Sequence, residues 1–123
     1  MKLRIKGNTI RLRLTQTEVD SLANGSVEDK TQFPGGSALI YKIQSANKFG
    51  ASLTKGIVSI NLPSTEINTW ATTDKIEIAF ATELENKEQL VISIEKDFKC
   101  LTERPKEDES DMYPNPLEKH SNC

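Results

Sequence analysis

Five cations open the chain in two short alternating runs: Lys2, Arg4 and Lys6, then Arg11 and Arg13. Lysine supplies a point charge, and arginine a planar fork that grips carboxylate or phosphate through paired hydrogen bonds. The chemistry these residues suit is anion capture, not bond making. If Leu3, Ile5, Ile10, Leu12 and Leu14 face a core, strand alternation sends all five cations to the other face. Gly7-Asn8 separates the runs and suits a type II′ hairpin turn. That turn sets Ile5 against Ile10, Arg4 against Arg11, Leu3 against Leu12 and Lys2 against Arg13. Like charges directly opposite each other destabilise a sheet. Carboxylates of this chain, a bound phosphate-like ligand or plain water on a solvated edge would each offset them, and the residues leave all three open. Lys2, Arg4, Arg11 and Arg13 are the candidate anion-binding or interaction residues.

Two other clusters carry chemical potential. Glu107-Asp108-Glu109-Ser110-Asp111 packs four carboxylates into five residues. Such a run reads as a solvated loop, as a partner for the arginine hairpin, or as oxygen ligands for Mg²⁺ or Ca²⁺, although no calcium-loop spacing or loop glycine is present. His120-Ser121-Asn122-Cys123 resembles half a zinc site, and Cys100 offers a third ligand where a structural zinc takes four. His120, the only histidine, lies in the tail and makes a poor base for a catalytic thiol. The expectation is therefore no catalytic residue, no metal and no cofactor. Two cysteines are too few for a disulfide scaffold, so reduced thiols are expected.

The bulk properties narrow the classes further. A chain of 123 residues with 36% hydrophobic content holds one core. A formal charge of −2 opposes general nucleic-acid binding. Charge alternates from Lys2 onward, leaving no signal-peptide core, and no apolar run reaches the ~20 residues of a membrane span. These features point to a cytoplasmic chain without a membrane anchor.

The elements that must position the hairpin follow from periodicity. After the second strand, Thr15-Gln16-Thr17-Glu18 has capping-box spacing, and Val19, Leu22 and Ala23 share one helical face. Gly25 ends the helix. Strands are expected near Ser26–Gln32 and Ala38–Ser45, joined through Pro34-Gly35-Gly36. The plan then recurs: strands at Ala51–Thr54 and Ile57–Asn61, a helix at Ser64–Ala71, strands at Lys75–Ala81 and Glu88–Ile94. An offset of 48 places Leu14 on Leu62, Thr17 on Thr65, Glu18 on Glu66 and Ala23 on Ala71. It also places Leu22 on Trp70, and Gly7-Asn8 on Lys55-Gly56.

Self-similarity at a fixed offset is the signature of an internal repeat. The expected fold is α+β: two ββαββ repeats, 2–49 and 50–95, forming an antiparallel barrel or a strongly curved sheet with two short helices. Residues 96–123 read as an irregular acidic, proline-containing tail anchored by Phe98, Leu101, Met112, Tyr113 and Leu117. In the second repeat the counterparts of Arg4, Arg11 and Arg13 are Ser52, Ser59 and Asn61. The scaffold itself does not demand the cations.

Three resemblances attach to these residues. Through KLRIKGNTIRLRLTQTEV, VSINLP, EKDFKCL, EDESD and PNP, the whole chain resembles a family of short uncharacterised bacterial proteins of unknown function. That resemblance implies no functional residue. KGNTIRLRLTQTEVDSL is similar to the hairpin–helix opening of AbrB-like swapped-hairpin transcription factors, although the strands that follow depart from that pattern. An internally duplicated eight-stranded barrel resembles the CYTH triphosphate tunnel enzymes at the level of fold. Their Glu-x-Glu-x-Lys signature is absent, and the first strand reads Lys2-Leu3-Arg4-Ile5-Lys6.

The expected function is a non-enzymatic binding or interaction module with a cationic hairpin face, taking an anionic ligand or a protein partner. The alternative is a metal-dependent enzyme acting on a small phosphorylated substrate, with arginines on phosphate and tail carboxylates on Mg²⁺.

Overall fold

The structure, a computed structural model, describes residues 1–98. The elements follow the order β1 (Lys2–Lys6), β2 (Thr9–Leu14), α1 (Gln16–Ala23), β3 (Ser26–Gln32), β4 (Ala38–Ala46), β5 (Gly50–Thr54), β6 (Ile57–Pro63), α2 (Ser64–Thr72), β7 (Glu77–Glu83) and β8 (Gln89–Lys96). Each arises where alternation or helical spacing foretold it, with ends moved by one or two residues. The acidic run and the Cys100, His120 and Cys123 cluster lie outside the described residues.

The two hairpin turns differ in type. Gly7 has φ +54° and Asn8 is not at positive φ, which is the type II′ pattern. Lys55 and Gly56 are both at positive φ, +52° and +78°, the type I′ pattern. The helix starts differ as well. Thr15 caps α1: its Oγ1 accepts from Glu18 N at 3.3 Å, and its N–H donates to Glu18 Oε1 at 2.9 Å. At the matching place before α2 stands Pro63, with no side-chain cap.

The strands form two four-stranded sheets, not a barrel or a single curved sheet. The first sheet has the order β1-β2-β8-β7 and the second β3-β4-β6-β5. Outer pairs are antiparallel, but the central pairs β2·β8 and β4·β6 are parallel. A barrel would require the edge strands β1 and β7 to pair with the edge strands β3 and β5, and no such ladder exists among the described residues. Alternation within a hairpin specifies the hairpin's register, but not which neighbour meets its other edge.

α1 and α2 pack on each other and on strands of both sheets, so one core serves the whole. It holds Leu12 and Leu14 of β2, Tyr41 and Ile43 of β4, Val58, Ile60 and Leu62 of β6, and Ile78, Ile92 and Ile94 of β7 and β8. Val19, Leu22, Ile67 and Trp70 come from the helices. Leu22 and Trp70 are fully buried, as expected. Trp70 Nε1 donates to the Ile76 carbonyl at 3.0 Å, satisfying the indole's polar atom. One expected core residue lies outside it: Ile5, on an edge strand that packs against β2, is 57% exposed. Phe98, at the start of the tail, is 58% exposed.

Candidate functional site

The outer face of the first sheet gathers the predicted cations. Alternation along β2 buries Leu12 and Leu14 on one side and sends Arg11 and Arg13 to the other. The β1·β2 register is the one the Gly7-Asn8 turn predicts, with Arg4 opposite Arg11 and Lys2 opposite Arg13. On the far side of β2 lies β8, which sets Arg11 beside Ser93 and Arg13 beside Glu95. β7 adds Ala79 beside Ser93 and Glu77 beside Glu95. Across the sheet one row therefore reads Lys2, Arg13, Glu95, Glu77, and the next reads Arg4, Arg11, Ser93, Ala79. The face has a cationic half on β1 and β2 and an acidic half on β7 and β8.

Glu95 ties the halves together. Its carboxylate accepts from Arg11 in a fork: Nε to Oε2 at 3.0 Å and the second guanidinium nitrogen to Oε1 at 3.2 Å. Arg13 Nε donates to Oε1 at 3.2 Å. Ser93 Oγ lies 2.9 Å from Glu95 Oε2 and 2.7 Å from Glu77 Oε2. A hydroxyl carries one proton, so it serves one carboxylate at a time. The Arg13 side chain is 8% exposed and that of Glu95 13%, so this ion pair is largely out of water although it sits outside the apolar core. Burial opposes the charge on Glu95. Hydrogen bonds from Arg11, Ser93 and Arg13, with the Arg11 charge, outweigh it and hold the carboxyl below its usual range.

At the strand ends, Lys2 Nζ meets Asp97 Oδ2 at 3.1 Å, and Asn8 Nδ2 donates to Glu88 Oε1 at 3.1 Å. The structure thus brings the four predicted residues onto one face. A carboxylate of a neighbouring strand does approach the arginines, but it is Glu95, while Glu77 reaches the network through Ser93. Glu95, Ser93 and Asp97 are the residues that sequence reading missed. The available signal was the polar alternation of Ser93 and Glu95 between Ile92 and Ile94; what it lacked was the knowledge that β8 would lie against β2.

Among the described residues no group of three His, Cys, Asp or Glu side chains is placed to hold a metal ion. No helix among them is long and apolar enough to cross a membrane.

The arrangement is that of an α+β protein with two mixed sheets and one charged sheet face. The chain belongs to the family of unknown function DUF7009, whose family model matches residues 1–117. No curated protein and no solved structure matches it. The likeness to an uncharacterised family is therefore borne out, and those to AbrB-like and CYTH proteins find no support.

Proposed function

We propose that this chain is a non-enzymatic binding module whose working surface is the outer face of β1 and β2, accepting an anionic group of a small ligand or a protein partner. One observation carries the reading: the β1–β2 hairpin carries cations that the corresponding β5–β6 hairpin lacks. Where the first sheet has Lys2, Arg4, Arg11 and Arg13, the second has Gly50, Ser52, Ser59 and Asn61 in the same hairpin register. A scaffold that forms the same hairpin without cations does not keep them for folding. Glu95 supports the reading by holding Arg11 in a fixed fork, so less side-chain entropy is lost on binding. Lys2, Arg4 and Lys6 line the exposed margin.

The test is an amide-shift titration with inorganic phosphate, and separately with an acidic peptide, at constant ionic strength. Saturable shifts confined to β1 and β2, and lost in Arg4→Ser, support the proposal. Equal, unsaturable shifts in β5 and β6 reject it. Nothing in the described residues favours the metal-dependent alternative.

We further infer that residues 2–49 and 50–95 are duplicated units, the second reaching Lys96. The strand registers support this: adding 48 to β1 and β2, or 51 to β3 and β4, turns every pairing of the first unit into one of the second. The parallel junctions correspond too, Arg13 with Glu95 answering Asn61 with Gln44. Loop hydrogen bonds repeat as well: Val91 N to Asn8 O and Ile40 N to Gly56 O are both 2.9 Å. Phe33 N to Ser37 O and Leu84 N to Glu88 O are both 2.8 Å. We place the protein in bacteria, on its family resemblance.

A further inference from the structure

Each sheet ends in two strands whose outer edges carry no ladder among the described residues: β1 and β7 in the first, β3 and β5 in the second. Proteins guard such edges with charge, because an edge strand is a template for pairing with another chain. Three of the four are guarded. β1 carries Lys2, Arg4 and Lys6; β3 carries Glu28, Asp29 and Lys30; β7 carries Glu77 and Glu83. β5 reads Gly50-Ala51-Ser52-Leu53-Thr54 and carries neither charge nor proline. On it stands Leu53, 70% exposed, the most exposed of the large apolar side chains described.

The backbone adds direction. A two-residue turn makes its closing pair, Thr54 with Ile57, a hydrogen-bonded one, and such pairs alternate along an antiparallel ladder. Ser52 and Thr54 therefore bond to β6, while Leu53 lies between and turns its N–H and C=O to the open edge. At the other end of the strand Phe49 stacks on Phe80 of β7, with centroids 4.7 Å apart. That contact leaves the exposed stretch Ser52–Thr54 as the accessible part of the edge.

We propose that β5 is a self-association edge and that its partner is β5 of a second copy, paired antiparallel about a two-fold axis at Leu53. In that register each Leu53 N–H donates to the partner's Leu53 carbonyl, and the two leucine side chains lie side by side. Ser52 falls opposite the partner's Thr54, a compatible polar pair. The same operation at Ile5, the matching place on β1, would set each Arg4 against the partner copy's Lys6. At β7 it would set Glu77 against Glu83. Charge forbids self-pairing at those edges and permits it here. A pair this short buries well under the roughly 1,200 Å² of a stable interface, so the dimer is weak and forms only at high concentration. The proposal is independent of anion binding, which uses the other sheet.

Sedimentation equilibrium of the full chain across micromolar to millimolar concentration tests it, with amide exchange at Leu53 read in parallel. The expected result is a monomer at about micromolar and a growing dimer toward about millimolar protein, with slowed exchange at Leu53. Leu53→Lys, at an exposed position the fold tolerates, weakens association by about tenfold or more. Ile5→Lys, at the matching place on β1, leaves association unchanged. A monomer at every concentration, a dimer indifferent to Leu53→Lys, or one equally lost in Ile5→Lys overturns the proposal.

Discussion

The outer faces of the two sheets share a backbone pattern and differ in charge. In the first, Arg13 stands beside Glu95 across the parallel junction; in the second, Asn61 stands beside Gln44, and Gln44 Nε2 donates to Asn61 Oδ1 at 2.8 Å. One step along each junction, Arg11 faces Ser93, and Ser59 faces Lys42. The junction asks for a mutually satisfied polar pair, and an amide pair meets that need without desolvating ions. The ions of the first sheet are thus an addition to the scaffold. Their desolvation cost is offset by a shared carboxylate.

The largest effect that would sharpen this contrast is Glu95→Ala. Removing one partner of a largely buried ion pair should cost about 3–5 kcal/mol in urea denaturation. Gln44→Ala, the matching deletion in the second sheet, should cost only about 1 kcal/mol. Equal losses would erase the distinction between the two faces.

Acid is the next lever. Glu95 titrates below its unfolded value of about 4.3, so its stabilising contribution is complete above that pH and is lost as pH falls through the lower folded pKa. Glu95→Gln should therefore flatten the acid limb of stability against pH. A limb remains, because the carboxyl of Glu18 is lowered in the same direction: burial opposes its charge, and hydrogen bonds from the N-terminal ammonium and the Thr15 N–H overcome that. Gln44→Ala should leave the limb unchanged. An acid limb in Glu95→Gln identical to that of the parent would contradict the assignment.

Transplanting the second face onto the first tests whether the charges are dispensable. The triple variant Arg11→Ser, Arg13→Asn, Glu95→Gln should lie within about 1 kcal/mol of the parent, far less than the single Glu95→Ala loss, because the Glu95 ion pairs are removed with both partners together. It should also lose the phosphate response. A triple variant as unstable as the single one would mean that the cations are structural after all.

The smallest effect concerns the turns. Lys55 holds φ +52°, a region costly for a residue with a Cβ, where the other hairpin uses Gly7. Lys55→Gly should raise stability by about 0.5–1 kcal/mol by thermal or urea unfolding, and Lys55→Asn by somewhat less. No gain would show that the strain is compensated by the neighbouring chain.

The sequence by itself determined the local pieces of this protein. Polar–apolar alternation marked the strands, Thr15 with Glu18 marked a helix start, and Gly7-Asn8 set Arg4 opposite Arg11, because each of these is decided by residues a few positions apart. Trp70 and Leu22 were legible as core for the same reason: helical spacing puts them on one face. Only the tertiary structure decided how the pieces joined. The parallel pairing of β2 with β8 brings Arg13 to Glu95 across 82 positions, and no local pattern encodes which strand edge meets which. Two sheets formed where a barrel was expected, and Ile5 lay exposed where alternation placed it inside. Alternation states which way a side chain points but not whether a helix lies beneath it, and that is settled by how the whole chain buries its apolar surface at once.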